Sequence, residues 1–266
     1  MFPVKDNIPL KRFPLVTVAL IAINVVAYLL AIRHGGSFFG GPTYDTEVRY
    51  GAIPYELTHA SSHCGLVAVP SASGPVETVA CTGQAGVSGA ARAQPPTWVT
   101  PFTAMFLHAS FLHIFGNMLF LGIFGPNVED TIGRVRYLAF YLAGGLVALA
   151  AQVLVDPGST APTLGASGAI AAVLAGYIVL YPRARVLTLV LIVFFVTIVE
   201  LPAVVLLGFW FLLQVALGAA GLTHAGSGSE GVAYFAHIGG FLFGLALIWP
   251  FARRLRKPMP PQLPVY

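Results

Sequence analysis

Three groups of polar side chains interrupt an otherwise apolar chain, and they are the types that acyl transfer needs. TLGASGAI holds Ser167 between Gly165 and Gly168; AHIGGFLFG holds His237 ahead of Gly240 and Gly244; HASFLHIFGNMLFL holds His108, His113 and Asn117. A hydroxyl can act as nucleophile, an imidazole as general base, and His and Asn side chains as donors to an oxyanion. Each group also has a plainer use. A serine in a membrane helix often bonds back to its own backbone and lets neighbours approach. A His/Asn pair four apart shares one helix face and can serve as interhelical glue. A lone histidine in a membrane is usually a structural donor. Chemistry gains weight only if all three groups meet at one depth.

Metal chemistry is not indicated. His108 and His113 are five apart, not the four of the zinc-protease helix motif, and no carboxylate stands between them. His59, His63 and Cys64 are close in sequence, but a structural zinc site wants four ligands at firm spacings.

The elements that would position these groups are membrane spans. Of 266 residues, 57% are hydrophobic and 9% are charged, against roughly 25% charged in soluble domains. So much apolar side chain cannot be hidden in one soluble core. The net charge of +4 comes with no long basic run or basic stripe, which argues against nucleic-acid binding. Crossing the hydrocarbon takes about 20 apolar residues. Five stretches qualify readily: Leu15 to Ile32, Tyr137 to Val155, Leu164 to Tyr181, Pro202 to Leu222 and Val232 to Phe251. Phe111 to Val128 is a sixth, interrupted by His113 and Asn117. A further run, Val186 to Val199, is 14 residues long and suits a re-entrant, interfacial or buried segment.

Charge selects the count. Lys5, Lys11 and Arg12 precede the first span; Arg134 and Arg136 follow the second; Arg183 and Arg185 follow the fourth; Arg253, Arg254, Arg256 and Lys257 follow the sixth. Six spans put all four clusters on the cytoplasmic side, with both termini there. The first span is too long for a signal peptide and has no nearby cleavage site, so it is expected to remain. This layout sets Ser167, His237 and the His/Asn pair at the outer leaflet. His237 lies about five residues into its span, roughly 8 Å along the helix. Gly240 and Gly244 share its face, and the small face of Gly168, Ala171, Ala172 and Ala175 is their natural partner.

The expected organisation is a cytoplasmic N-terminus (1–14), a first span (15–32), an outer loop insertion (33–96), a core (97–252) and a basic, Pro-rich tail (253–266). The insertion is rich in Gly, Ser, Thr, Ala and Pro and reads as irregular loop. It holds both cysteines, Cys64 and Cys81. For these a disulfide ranks first, contributing about 3 kcal/mol; free thiols come second and a metal third.

The constellation resembles the rhomboid family of intramembrane serine proteases. The resemblance rests on the His-x4-His-x3-Asn pattern at His108, His113 and Asn117, the GASG box around Ser167 and the AHxGG box around His237, in that order. NVEDTIGRVRY, with Glu129 and Gly133, and TWVTPFTAMFLH, with Trp98 and Thr103, add to it. It covers about residues 95 to 250 and the first span. It implies an all-α membrane protein, a six-helix bundle, in which Ser167 is the nucleophile and His237 the general base. Asn117 and His113, with the Ser167 N–H, would form the oxyanion hole; His108, Gly165, Gly168, Gly240 and Gly244 would be supporting residues. No acidic residue shares their depth: Asp156 and Glu230 fall in outer loops, Glu129 and Asp130 on the inner side. A dyad is therefore implied, without cofactor or metal. The implied substrates are single-span membrane proteins, entering from the bilayer past span five and unwinding locally. The expected location is a prokaryotic cell (inner) membrane. One position departs from some family members: Ala171, four after the serine, stands where they place an aromatic residue on the catalytic histidine. The alternatives are a non-catalytic relative that binds membrane clients, and a transporter. A transporter would set ionisable residues near mid-membrane and broken helices in paired repeats, and neither pattern is present.

Overall fold

A computed structural model describes residues 2–71, 74–84, 94–192, 195–223 and 232–252. The basic tail expected at 253–266, Glu230 and residues 85–93 of the insertion lie outside the described residues. The element order is β1 (Phe2–Asp6), α1 (Leu15–Ala31), α2 (Tyr44–Tyr50), α3 (Pro54–Thr58), β2 (Cys64–Ser71), β3 (Gly74–Cys81), α4 (Thr100–Ala104), α5 (Phe111–Ile132), α6 (Arg134–Val155), α7 (Ser167–Leu180), β4 (Arg185–Ile192), β5 (Phe195–Pro202), α8 (Ala203–Thr223) and α9 (Tyr234–Ala252). Helices α5, α6, α8 and α9 are long and apolar enough to cross a membrane; α1 and α7 are shorter apolar helices. The protein is thus built as a multi-pass membrane protein.

The fold is mostly α-helical but not all-α, which corrects the expectation from sequence. The described residues form two antiparallel sheets, β1-β4-β5 and β2-β3. The run at 186–199, expected as a re-entrant, interfacial or buried segment, lies in the antiparallel hairpin β4–β5. Its Val, Ile and Thr content favours the pleated conformation. The insertion also holds more order than irregular loop. Two short helices precede the hairpin β2–β3, whose end residues Cys64 and Cys81 face each other and are joined by a disulfide.

The chain divides into two compact units, to which α1, α5 and α6 contribute residues on both sides of the division. The first comprises Met1–Ala22, Phe115–Ala148 and Ser167–Tyr266. Its centre is α7, buried without interruption from Gly168 to Tyr177. A helix of 14 residues with no exposed face over that stretch needs no amphipathic pattern, only small residues that let neighbours close in. A Cβ added at Gly240 would lie 2.1 Å from the Gly168 carbonyl oxygen, and one at Gly244 2.2 Å from that of Ala172. On the α6 side, a Cβ at Gly168 would lie 2.5 Å from the Ala148 Cβ.

Strand β1, the start of α1 and the end of α5 are tied by polar contacts within this unit. Glu129 on α5 accepts from the backbone N–H of Val16 (2.9 Å) and Thr17 (2.7 Å) and from the Thr17 hydroxyl (2.7 Å). It thereby caps the first turn of α1, whose amides have no partners within the helix. Gly133, at φ +85°, supplies the left-handed residue that ends α5 and lets α6 begin. Strand β1 is fixed by Asp6, which accepts from Asn127 Nδ2 and the Tyr177 hydroxyl, both at 2.6 Å.

The second unit comprises Ile23–Ile114 and Leu149–Ala166. Val48, Ile53 and the disulfide form a small core with Tyr55, Leu66 and Val79 against it. Ala52 and Thr163 exchange backbone hydrogen bonds of 2.9 and 2.8 Å, and the Thr58 hydroxyl donates to the Pro157 carbonyl at 2.8 Å. The insertion is therefore stitched onto the segment between α6 and α7.

Candidate functional site

Ser167 is the first residue of α7, three residues later than the start expected from hydropathy. Two residues earlier Gly165 has φ +118°, a conformation that side-chain-bearing residues rarely adopt. The Gly165 N–H donates to the Ala104 carbonyl at 2.8 Å. The serine side chain is only partly buried, whereas Ala166 and Gly168 beside it are fully covered.

His237 stands in the first turn of α9 and is buried, 9% exposed. Its Nε2 is 2.7 Å from Ser167 Oγ. The glycine contacts between α7 and α9 explain how this comes about. With Gly240 one turn further along α9 and against the backbone of Gly168, the two helices approach closely enough for adjacent side chains to meet. The structure therefore brings together two of the residues singled out from sequence, with Gly168, Gly240 and Gly244 as the packing surface between them.

Ala171 is fully buried on α7 and offers nothing to hold the imidazole. Helix α8 does so instead. His237 Nδ1 is 2.8 Å from Gln214 Oε1, and the Trp210 ring lies 5.6 Å from the imidazole centroid at 38°. Neither α8 residue was singled out from sequence. Gln214 carried a usable signal: a lone amide within AVVLLGFWFLLQVALGAAGLT is a polar residue at membrane depth, and such residues are expensive unless they have a use.

Asn117, on α5, belongs to the same unit as Ser167 and His237. It is 8% exposed, and its buried Nδ2 has no hydrogen-bond partner among the described residues. An amide N–H₂ left buried in this way costs free energy unless something accepts from it. His108 and His113 belong to the second unit, where their rings meet edge to face at 5.0 Å and 70°. His108 is fully buried, and His113 takes a backbone bond from its N–H to Ser110 Oγ at 3.2 Å. No cluster of three or more His, Cys, Asp or Glu that could hold a metal occurs among the described residues.

The arrangement is a hydroxyl against an imidazole nitrogen, with the other ring nitrogen against an amide. A neutral imidazole whose Nδ1 carries the proton presents a bare Nε2, which can accept the serine proton. Such a pair can perform nucleophilic acyl transfer if a carbonyl is delivered to it.

Comparison with known proteins agrees with this reading at the level of family. The model for the rhomboid domain matches residues 95–254. The chain is 32% identical over 158 residues to rhomboid protein 1, mitochondrial, of Saccharomyces cerevisiae, covering 57% of this chain and 41% of that protein. It is 33% identical over 164 residues to presenilin-associated rhomboid-like protein A, mitochondrial, of Danio rerio, covering 58% and 38%. To rhomboid-like protein 11, chloroplastic, of Arabidopsis thaliana it is 30% identical over 157 residues, covering 58% and 52%. The chain thus spans about two fifths to one half of the length of these relatives. The match contains Asn117, Ser167 and His237 together with the helices that carry them, and it extends over more than half the chain: the chain belongs to the rhomboid family.

Proposed function

We propose that the protein is an intramembrane serine endopeptidase that cleaves membrane-spanning proteins near the outer leaflet. Family membership supports an intramembrane-protease-like role in general. The observation that carries the specific reading is the 2.7 Å contact between Ser167 Oγ and His237 Nε2 at the tightly packed start of two helices.

In this reading the helices form six spans with both termini cytoplasmic, on the charge argument above. Ser167 attacks the scissile carbonyl carbon while His237 Nε2 takes its proton. The developing oxyanion accepts hydrogen bonds from Asn117 Nδ2, from His113 and from the Ser167 N–H. Removing one such donor typically costs about 3 kcal/mol of transition-state stabilisation. His237 then gives its proton to the leaving amine, and water hydrolyses the acyl-enzyme by the same route in reverse. Water reaches the serine from the outer side, in keeping with its partial exposure at a helix start. Substrates are single-span proteins whose helix unwinds at the cleaved bond; the enzyme sits in a prokaryotic cell membrane, and its partners are these substrates and the lipid bilayer. The alternative is a family member that binds membrane clients without cutting them.

Two readouts separate these. A single-span model substrate in liposomes should be cut by wild-type protein and not by Ser167→Ala or His237→Ala. A fluorophosphonate probe should label the wild type and not Ser167→Ala. Equal cutting by all three proteins sinks the assignment, and absence of both labelling and cutting in the wild type favours client binding.

A further inference from the structure

We infer that Gln214 on α8 is a positioning residue for His237: it fixes the tautomer and ring orientation in which Nε2 accepts the Ser167 proton. The inference deepens the protease reading and rests on it for its catalytic consequence, but the pairing itself can be tested without activity.

Amide orientation sets the tautomer. The Gln214 side chain has one face toward His237 Nδ1 and the other toward the Trp210 backbone carbonyl, 3.4 Å from Nε2. A carbonyl oxygen only accepts, so the amide N–H₂ must turn toward Trp210. That leaves Oε1, also an acceptor only, against the imidazole. Nδ1 must therefore carry the ring proton, and Nε2 is the bare nitrogen facing Ser167 Oγ at 2.7 Å. The reverse tautomer would place two acceptors 2.8 Å apart at Nδ1. A side-chain amide holds the equivalent third position in papain-like Cys-His-Asn sites.

The packing makes the arrangement stiff. Gln214 is 7% exposed and His237 9%, so water does not compete for the bond. The buried residues of α8 include Leu207, Gln214 and Gly218, one stripe of a helix whose other faces are largely uncovered. A Cβ at Gly218 would meet the Tyr234 Cβ at 3.3 Å, one turn before the histidine. Phe211 stacks on Phe241 at 4.2 Å and 14°. Contacts on both sides of Gln214 thus dock α8 on α9, and the amide is delivered to the ring at a fixed height. This is the function that Ala171 cannot supply from α7.

The test uses the full chain in liposomes and in detergent. Gln214→Met keeps the length and removes the acceptor; Gln214→Glu keeps an acceptor and adds a charge. With the model substrate, Gln214→Met should lower kcat about 100-fold, the scale of a misplaced reacting group, with KM within about twofold. Gln214→Glu should retain kcat at high pH, and the acid limb of its kcat/KM profile should move up by about one pH unit or more, because a carboxylate beside the ring favours the imidazolium. In parallel, ¹⁵N spectra of histidine-labelled protein, with His237→Ala to identify the signal, should show one tautomer protonated at Nδ1 in the wild type and a mixture in Gln214→Met. Unchanged kcat in a folded Gln214→Met, an unmoved acid limb in Gln214→Glu, or a wild-type tautomer protonated at Nε2 each overturns the inference. If Gln214→Met does not fold, the Gln214→Glu profile decides. If wild-type protein cuts nothing, the protease reading falls, and the ¹⁵N spectra still decide for or against the pairing.

Discussion

At the scale of single residues, reactivity depends on positions that have no reactive group. Gly240 is the clearest case. An added methyl would lie 2.1 Å from the Gly168 carbonyl oxygen, an atom of the backbone that cannot turn aside. Gly240→Ala must therefore move α9 away from α7 near the serine. We expect a stability loss of about 1–3 kcal/mol, as for other overpacked sites. The loss of cleavage should be larger, on the order of 100-fold, because His237 lies one turn away on the displaced helix. Thermal unfolding in detergent and cleavage in liposomes would measure the two. Activity near wild type in a folded Gly240→Ala protein would show that the close approach does not set the Ser167–His237 distance. Residue type and depth single out Ser167, His237 and Asn117 in the sequence, and the family resemblance is what implies a role for each. Gln214 was missed because the motifs direct attention to the helices that carry them and not to α8, which has none.

At the scale of elements, two segments outside the site have consequences of their own. Glu129, in the last turns of α5, holds the start of α1, with three donors on one carboxylate that is 2% exposed. Glu129→Ala leaves one buried and one part-buried backbone N–H, of Thr17 and Val16, without that acceptor, and we expect a loss of about 3 kcal/mol in unfolding free energy. Glu129→Gln should recover part of it, since the amide oxygen can still accept one bond. An unfolding midpoint unchanged in both variants would show that water or other groups cap α1 equally well. In the insertion, desolvation pushes Glu47 on α2 up to about 7. Its unfolded value is near 4.5, so between these two pH values the folded segment binds more protons than the unfolded one. Stability of the insertion should therefore fall as pH rises through that window. Hydrogen-exchange protection over residues 44–58, taken relative to the intrinsic rate at each pH, should fall across it in the wild type and stay level in Glu47→Gln; identical profiles would remove Glu47 as the cause. Neither helix of the insertion was read from sequence. Tyr44–Tyr50 and Pro54–Thr58 are too short for a hydrophobic period to show, and their order depends on the disulfide core.

At the scale of the whole molecule, the legible part was that governed by hydropathy. The helices from α5 to α9 and α1 fall where long apolar runs predict them, because in a bilayer the run itself is the structural requirement. The sheet β1-β4-β5 was not legible. Strand β4 reads RVLTLVLI, apolar on both faces, so the alternating burial of Val186, Thr188 and Val190 has no counterpart in the residue types. Strand β1 reads FPVKD, and nothing local marks it as the partner of a segment so far along the chain.

That distance has a consequence for how the protein is made. Asp6 pairs with Val186, a residue synthesised 180 positions later. At ribosomal rates of about 5–20 residues per second, the N-terminal strand waits about 10–40 s without its neighbour. The Tyr177 hydroxyl that Asp6 accepts from also lies on α7, the helix that begins at Ser167. A strand that leaves the ribosome ahead of both its sheet neighbours is therefore locked only after they follow. It closes as a latch on the nascent chain only after the serine-bearing helix exists.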